Sequence, residues 1–446
     1  MGSKMPTAID SNTKLSSFLS THPNIRTIIT QWVDICGVAR SRTTSIQRFI
    51  ELVNAGGSFN GSVLDILSSS TGGLCDELLV HFADKRHRIV PDVSSIRVGF
   101  PLCETSAVVV GEVQGGEIEA DARANLRRIV DEGAAEGYAF KIGFELEFVL
   151  LEKNELTPAA PGLTGVGSNS PWYRSNVWPL MEEVITALAD AGILVEQVIK
   201  EMGPSQWEVA LPPLPPVESV DAYMYARETI RNVAHKHNVV ATFYPTPYVG
   251  DGQPSGEHIH VSATKGGDDG TSNTWNPDEM MAGILSHAPA LAAIGLPQSD
   301  SYIRVGNGKM GAGGMVAWGD NHRDVPVRRI GRNHWEVRVH DSTANAYAMV
   351  AGMIAAAMDL KALDIGGLTK FTPFCSEEEL KALNMTRKLP HSLEEALKEV
   401  EDEREWLEKT LGKDYVKWFL VLKRGELEKL GGMDVEQRRK LLVNHF

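Results

Sequence analysis

One short run, Phe144-Glu145-Leu146-Glu147-Phe148, limits what this chain can fold into more than any other stretch. Polar and apolar residues alternate strictly, the period of a β-strand with two unlike faces. Glu145 and Glu147 share one face, and Phe144, Leu146 and Phe148 the other. Carboxylates two residues apart on a strand sit about 7 Å from each other. They repel unless something cationic lies between them. Alone, such a pair reads as a solvated acidic face. It becomes a site only if other strands bring partners for a divalent cation.

Three later segments do. Alternation puts His258, His260 and Ser262 on one face of a strand at 256–262. It puts Gln206 and Glu208 together at 206–209, and His334, Glu336 and Arg338 together at 334–339. Each segment offers ligand-type groups where a plain core would be apolar. Several carboxylates with few imidazoles suit Mg²⁺ or Mn²⁺ better than zinc. Arg304, Arg323, Arg328 and Arg338 lie close in sequence to the last of these ligands. Guanidinium binds carboxylate and phosphate bidentately. Carboxylate-held metal plus arginines is what phosphoryl transfer to or from ATP needs. The chain has no G-x-x-x-x-G-K-[ST] loop, so a nucleotide site must be of another kind.

Composition narrows the setting. The 446 residues are 43% hydrophobic and 23% charged, an ordinary soluble balance with room for a large core. A net charge of −14 with no basic patch argues against a nucleic-acid partner. Four scattered cysteines, Cys36, Cys75, Cys103 and Cys375, suggest neither a zinc knuckle nor a disulfide framework. No membrane-spanning run and no signal-peptide core are visible, so a cytoplasmic enzyme is the expectation.

The element order predicts an α+β chain: an arm at 1–23, a small β domain at 24–104 and a large domain at 105–446. The arm holds a short helix at 15–19. Strands are expected at 25–33, 38–44, 87–91, 94–98, 107–113, 193–199, 239–244 and 325–330, and loops at 57–62, 72–73 and 158–170. A helix at 217–237 would take Ser219 as its cap, one at 280–296 would accommodate Pro289, and another would span 344–363. Ser392-x-x-Glu395 has capping-box spacing. Residues 306–319 are Gly-rich and expected to be mobile.

From about residue 25 to the C-terminus, the sequence resembles the glutamine synthetase superfamily, class I and its fungal and bacterial glutamine-synthetase-like members. The likeness rests on the run at 144–148; Glu201-x-Gly203-Pro204-x-Gln206-x-Glu208; Ser255-Gly256-x-His258-x-His260-x-Ser262; Ser301-Tyr302-x-Arg304; Arg323 through Arg328; and Glu336-x-Arg338-x-x-Asp341. The resemblance implies an N-terminal β-grasp domain and a catalytic domain with a curved antiparallel sheet flanked by helices. It implies that Glu145, His258 and Glu336 hold a first metal, and Glu147, Glu201 and Glu208 a second, with two or three Mg²⁺ or Mn²⁺ per site. His260 and Ser262 match nucleotide contacts, and Arg323 and Arg328 match arginines on the ATP phosphates. Arg304 matches the residue holding the carboxylate of glutamate, Gln253 and Gly256 its binding corner, and Arg338 the residue near the reacting γ-carboxyl. Asp34 matches an acidic residue that reaches a neighbouring subunit's active site, and with Arg338 and Arg323 it is the implied catalytic set. Two stacked rings with sites between subunits are implied, as is a reaction through γ-glutamyl phosphate.

The sequence departs from that pattern at the amine end. True glutamine synthetases carry a flap glutamate shortly after Ser-Tyr-x-Arg. The matching stretch here, 306–315, has no carboxylate, and the flap position falls on Met310 or Gly311. The family's Asn-Gly before Ser-Gly-x-His is Gln253-Pro254, and the Lys of Met-Pro-Lys-Pro is Thr246. The expectation is a glutamate–amine ligase of nitrogen metabolism that prefers an organic amine to ammonia. The alternatives are a true glutamine synthetase and a catalytically weak relative with a regulatory or structural role.

Overall fold

The computed structural model describes residues 8–71, 80–81, 84–115, 119–160, 172–250, 253–271, 275–306 and 311–446. The expected loop at 72–73, Cys75, Met310 and nearly all of the 158–170 excursion lie outside these residues.

The strands form two sheets. The smaller contains β1 (Thr27–Val33), β2 (Ala39–Ser45), β3 (Phe59–Ser62), β4 (Arg86–Val98) and β5 (Ser106–Gln114), in the order β2-β1-β5-β4-β3. β1 and β5 run parallel at its centre, and the other pairs are antiparallel. The hairpin expected around the turn at Asp34–Gly37 is β1–β2.

Three local expectations change. The N-terminal helix runs Ala8–Thr21, well beyond 15–19, because Leu15 is buried in the core of the small sheet with Phe18 and Leu19 beside it. The two short strands at 87–91 and 94–98 are one strand, β4, whose pairing with β5 shifts register between Asp92 and Arg97. Such a shift lets a strand pass Pro91 without losing its partner. The loop expected at 57–62 is mostly β3. Its Gly61 sits against the His87 ring, where a Cβ would come within 2.5 Å of Nε2, so this glycine marks close approach rather than a turn. The helix Ile46–Asn54, capped by Ser45 accepting from Arg48 N, buries Phe49, Leu52 and Val53 against the sheet.

The larger sheet is built on β6 (Tyr138–Glu152). With β7 (Gln197–Lys200), β8 (Gln206–Ala210), β10 (Glu257–Lys265), β11 (Trp318–Asp320), β12 (Val327–Gly331) and β13 (His334–Val337) it has the order β11-β12-β13-β10-β6-β8-β7. β9 (Val239–Thr242) pairs with the far end of β6. All pairs but β11–β12 are antiparallel. One face is covered by the helices Ala122–Ala135 and Pro216–Lys236, with Ala346–Met358 packed on both and Pro277–Gly295 packed on Ala346–Met358, and the Phe144 ring stacks on Tyr223 there.

Ser219 does not cap its helix: the hydroxyl donates to Ile142 O at 2.8 Å and ties the helix to β6 instead. Pro289 lies inside its helix as expected. The helix expected at 344–363 ends at Met358, and Leu360 beyond it is exposed, so no burial rewards further turns. Ser392 caps its helix, accepting from Glu395 N, but Glu395 bonds His391 N rather than closing the box. Among the described residues, no helix is long and apolar enough to cross a membrane.

A buried polar network ties the small sheet to the helices. Arg123 donates to Asp92 of β4, Glu112 of β5 and Asp221 of the helix Pro216–Lys236, at 2.6–2.9 Å. Tyr347 closes it by donating to Asp221 at 2.6 Å. Burying a guanidinium is tolerable because every side of it meets a carboxylate.

A second ionic joint holds the C-terminal helices. His287 lies between Glu403 and Asp359, stacked on Trp406 at 3.8 Å. Burial lowers its pKa, but hydrogen bonds to both carboxylates outweigh this and hold it above the ordinary imidazole value. The stabilisation is thus full below pH about 6.5 and is lost as pH climbs through the raised folded value. His287→Gln is expected to melt below wild type at pH 6 by the equivalent of about 1–2 kcal/mol, the gap closing by about pH 9. Thermal melts across that range check it; an equal gap throughout would rule out the imidazolium as its source.

Candidate functional site

Register delivers the site. Glu145 lies opposite His258 and Glu147 opposite Glu208, while Glu336 faces both His260 and Arg328 across its two neighbours. Five adjacent strands thereby bring their polar residues to one face of the sheet, because side chains alternate with period two.

Two sets of ligand atoms each lie within 4.8 Å of one another: Glu145, His258 and Glu336, and Glu147, Glu208 and His258. The His258 ring sits between them. Its Nδ1 is 2.9 Å from Glu145 and 3.5 Å from Glu336, and its Nε2 is 3.9 Å from Glu147. Backbone and amide donors fix the carboxylates. Glu147 Oε2 accepts from Gly256 N at 2.8 Å and Gln206 Nε2 at 3.1 Å, leaving Oε1 toward His258. Gln206 is fixed in turn by accepting from Gly203 N at 2.8 Å. Glu336 is paired with Arg328 at 2.7 Å and with Arg338.

Electrostatics divide the acids. Burial and the charges of Glu145, Glu147, Glu201 and Glu336 push Glu208 up to about 10. Burial also raises Glu147 and Glu201, the latter helped by Glu147 beside it. Glu336 is opposed by burial but held at about 2 by His258, Arg338 and Arg328. Glu145 is likewise opposed by burial, and its hydrogen bonds with His258 and His260 hold it below the usual range. Burial and Arg338 push His258 below the ordinary imidazole value, toward the neutral form that binds metals. Buried carboxylates with too few cations fit a divalent ion, and an oxygen-rich donor set with one imidazole fits Mg²⁺ or Mn²⁺.

The remaining expected residues fall around this core. Glu201 is outside both tight sets, on the turn after β7, yet its carboxyl interacts with Glu147 and Arg323. Arg323 is exposed. His260 Nε2 lies 3.0 Å from Glu145, and Ser262 continues the same face of β10. Arg304 is buried against Gly256, where a Cβ would come within 2.2 Å of its Nη2. Gln253 is half-buried, and the neighbouring Pro254 carbonyl accepts from Gln206 at 3.4 Å.

Asp34 opens the turn between β1 and β2. Its carboxylate is fully buried within its own chain, accepting from Cys36 N, Val38 N and both ends of the Arg40 fork at 2.7–3.0 Å. Burial outweighs those donors and pushes it up to about 7. Asn345 donates to the Asp34 carbonyl, so the residue braces a turn against the Ala346–Met358 helix.

Four residues that pattern reading did not assign also shape the site. His334 bonds His260 at 2.7 Å, and Gln206 holds Glu147; alternation places both on the polar face without showing these roles. Lys200 is buried and donates to the Glu201 and Gly203 carbonyls, bracing the turn that carries Glu201. Glu257 points away from the cluster. Nothing in alternation marks a polar residue on the face that should be apolar.

Residues 119–439 match the family model for the glutamine synthetase catalytic domain. The chain belongs to the glutamine synthetase family. It is 30% identical to glutamine synthetase from Methanocaldococcus jannaschii, covering 90% of this chain and 92% of that one. It is 28% identical to glutamate–methylamine ligase from Methyloversatilis universalis, with 90% and 92% covered. Protein fluG from Emericella nidulans is 30% identical over all of this chain, which spans 51% of fluG. Among solved structures, a GmaS complex with ADP matches with a TM-score of 0.80 at 21% identity, covering 96% of this chain and 98% of that one, which shows a shared fold.

The crowding of acids predicts a crossing of stabilities. Glu208→Gln removes a carboxylate pushed upward by its neighbours, so without divalent cation the variant is expected to melt at or above wild type. Saturating Mg²⁺ is expected to stabilise wild type by about 2–3 kcal/mol at a hundredfold excess over Kd, and Glu208→Gln by much less. Thermal melts with EDTA and with Mg²⁺ read both. A variant that loses stability in EDTA yet keeps the full Mg²⁺ gain would contradict the assignment.

Proposed function

We propose that the protein is an ATP-dependent ligase joining the γ-carboxyl of glutamate to an organic amine. Relatives named as glutamine synthetase, glutamate–methylamine ligase, glutamate–isopropylamine ligase and γ-glutamylpolyamine synthetase support the reaction class. In this reading Glu145, His258 and Glu336 hold one divalent cation, and Glu147, Glu208 and Glu201 another. Bound there, the cations would offset charge on the transferring phosphoryl group. His260 and Ser262 face the nucleotide, and Arg323 and Arg328 its phosphates. Arg304 takes the α-carboxylate of glutamate, with Gly256 giving it room and Gln253 at the corner. The γ-carboxylate oxygen attacks the terminal phosphorus and ADP leaves; the amine then attacks the acyl carbon, phosphate leaves, and the ammonium proton passes to solvent or phosphate. Arg338, in this reading, holds the acyl oxygen. A ring assembly in the cytoplasm, with Asp34 acting at a neighbouring subunit's site, belongs to the same proposal.

The observation that carries the amine preference is the flap stretch 306–315, which has no carboxylate and whose flap position falls on Met310 or Gly311. At Gly311 a Cβ would lie 2.2 Å from the Arg304 carbonyl, so that position has no room for an acid. Its own carbonyl accepts from Arg338 Nε at 3.1 Å. A site without an acid to bind ammonium loses affinity for a small cation first.

Purified protein with ATP, Mg²⁺, glutamate and a panel of amines tests this by ADP release and product mass. At least one organic amine is expected to exceed ammonia in kcat/KM by about tenfold or more, a difference of about 1.4 kcal/mol. Ammonia outperforming every amine would make the protein a true glutamine synthetase; no ADP release with any pair would favour a regulatory or structural relative. Arg338→Lys is expected to lower kcat about 100-fold with little change in melting temperature, since a point charge replaces a planar fork. An equal loss of fold would place Arg338 in the scaffold instead.

A further inference from the structure

Glu257 stands between Gly256 and His258, and alternation on β10 turns it to the helix-covered face. It is completely buried. Its two oxygens engage alternate residues of one segment. Ser342 Oγ donates to Oε2, and His340 Nδ1 lies 3.0 Å from Oε1. Tyr223 and Arg227 of the helix Pro216–Lys236 complete the surroundings, with Arg227 donating to the Tyr223 hydroxyl at 3.3 Å. The His340 ring is also fully buried, near Phe144.

That segment begins at Arg338, and the His340 carbonyl accepts from Arg304 Nη1. Arg304 itself rests on Gly256, the residue before Glu257. The Glu257 carboxylate is thus hydrogen-bonded to Ser342 and packed against the His340 ring without a hydrogen bond to it, while the His340 carbonyl accepts from the Arg304 guanidinium. Apolar residues of similar volume often replace buried ionic groups without loss of stability. Glu257 also lies in the field of the buried Arg227, so its charge faces the helix as well as the 340–342 segment.

We propose that Glu257 is a positioning residue: by holding His340 and Ser342 it aims Arg304 and sets affinity for the substrate's α-carboxylate, without touching any reactant. The inference rests on the reaction proposed above, in which Arg304 binds that carboxylate.

The test compares wild type, Glu257→Gln and Ser342→Ala with ATP, Mg²⁺, glutamate and the best amine. KM for glutamate is expected to rise about tenfold in Glu257→Gln and about threefold in Ser342→Ala, with kcat and the KM for ATP each within about threefold of wild type. A folded Glu257→Gln whose glutamate KM stays within about twofold of wild type would overturn the proposal. So would a parallel collapse of kcat and ATP affinity, which marks a general structural role. If Glu257→Gln does not fold, an unchanged glutamate KM in Ser342→Ala overturns it. Absence of glutamate-dependent ADP release from wild type would instead sink the reaction itself. Positioning is then read from thermal protection by glutamate alone: Glu257→Gln is expected to need about tenfold more glutamate than wild type, and protection of neither, or of both equally, refutes it.

Discussion

Everything at the centre of this molecule follows from mutual repulsion among carboxylates fixed on one sheet face. Glu145, Glu147, Glu208 and Glu336 cannot move apart, because backbone register places them on neighbouring strands. Two like charges about 4 Å apart cost on the order of 4 kcal/mol at an effective dielectric of 20. The fold answers in two ways. Arg328 and Arg338 neutralise Glu336, and His258 sits between the two acidic sets. Glu147 and Glu208 are left short of cationic partners, and burial and the neighbouring acids push both upward. That residual imbalance is what a divalent cation would correct, and a chain that never bound one would gain by losing it.

The imbalance is sustainable because the sheet does not depend on it for cohesion. The opposite face carries Phe144, Leu146 and Phe148 into a continuous apolar core under the helices that cover it. A slip of one residue would exchange the two faces and bury every acid under those helices. Register is therefore strongly specified by the same alternation that creates the site. The small sheet is docked by a different device, the Arg123 network, whose donors are matched by Asp92, Glu112 and Asp221.

Much of this was legible because period-two patterning is a local signal. The strands carrying Glu145, Glu208, His258 and Glu336 could be read off one by one, and their convergence inferred from the chemistry they share. What escaped reading depended on neighbours remote in sequence. Leu15 extends the N-terminal helix only because a sheet ending near residue 114 covers it. Gly61 resembles a loop glycine until the His87 ring is placed against it. Ser219 has cap chemistry, but the Ile142 carbonyl lies within its reach. Glu257 and Lys200 are polar residues where the pattern predicts apolar ones, so only the packed structure shows what they hold.

The amine end shows how specificity can come from subtraction. The Arg304 carbonyl excludes any side chain at Gly311, so an acid cannot be restored there without moving the residue that would bind glutamate. Ammonia draws nearly all of its binding from charge and hydrogen bonds, so it loses most when a carboxylate is missing. An alkyl amine also buries methylenes, each worth about 0.8 kcal/mol when removed from water. The same deletion therefore weakens both substrates electrostatically but leaves the larger one a compensating term. Two carbons of buried chain already shift the balance by roughly tenfold. In the proposed reading, a site that keeps its phosphate chemistry and drops its acid would thus change substrate preference without altering a single group that handles the phosphoryl transfer.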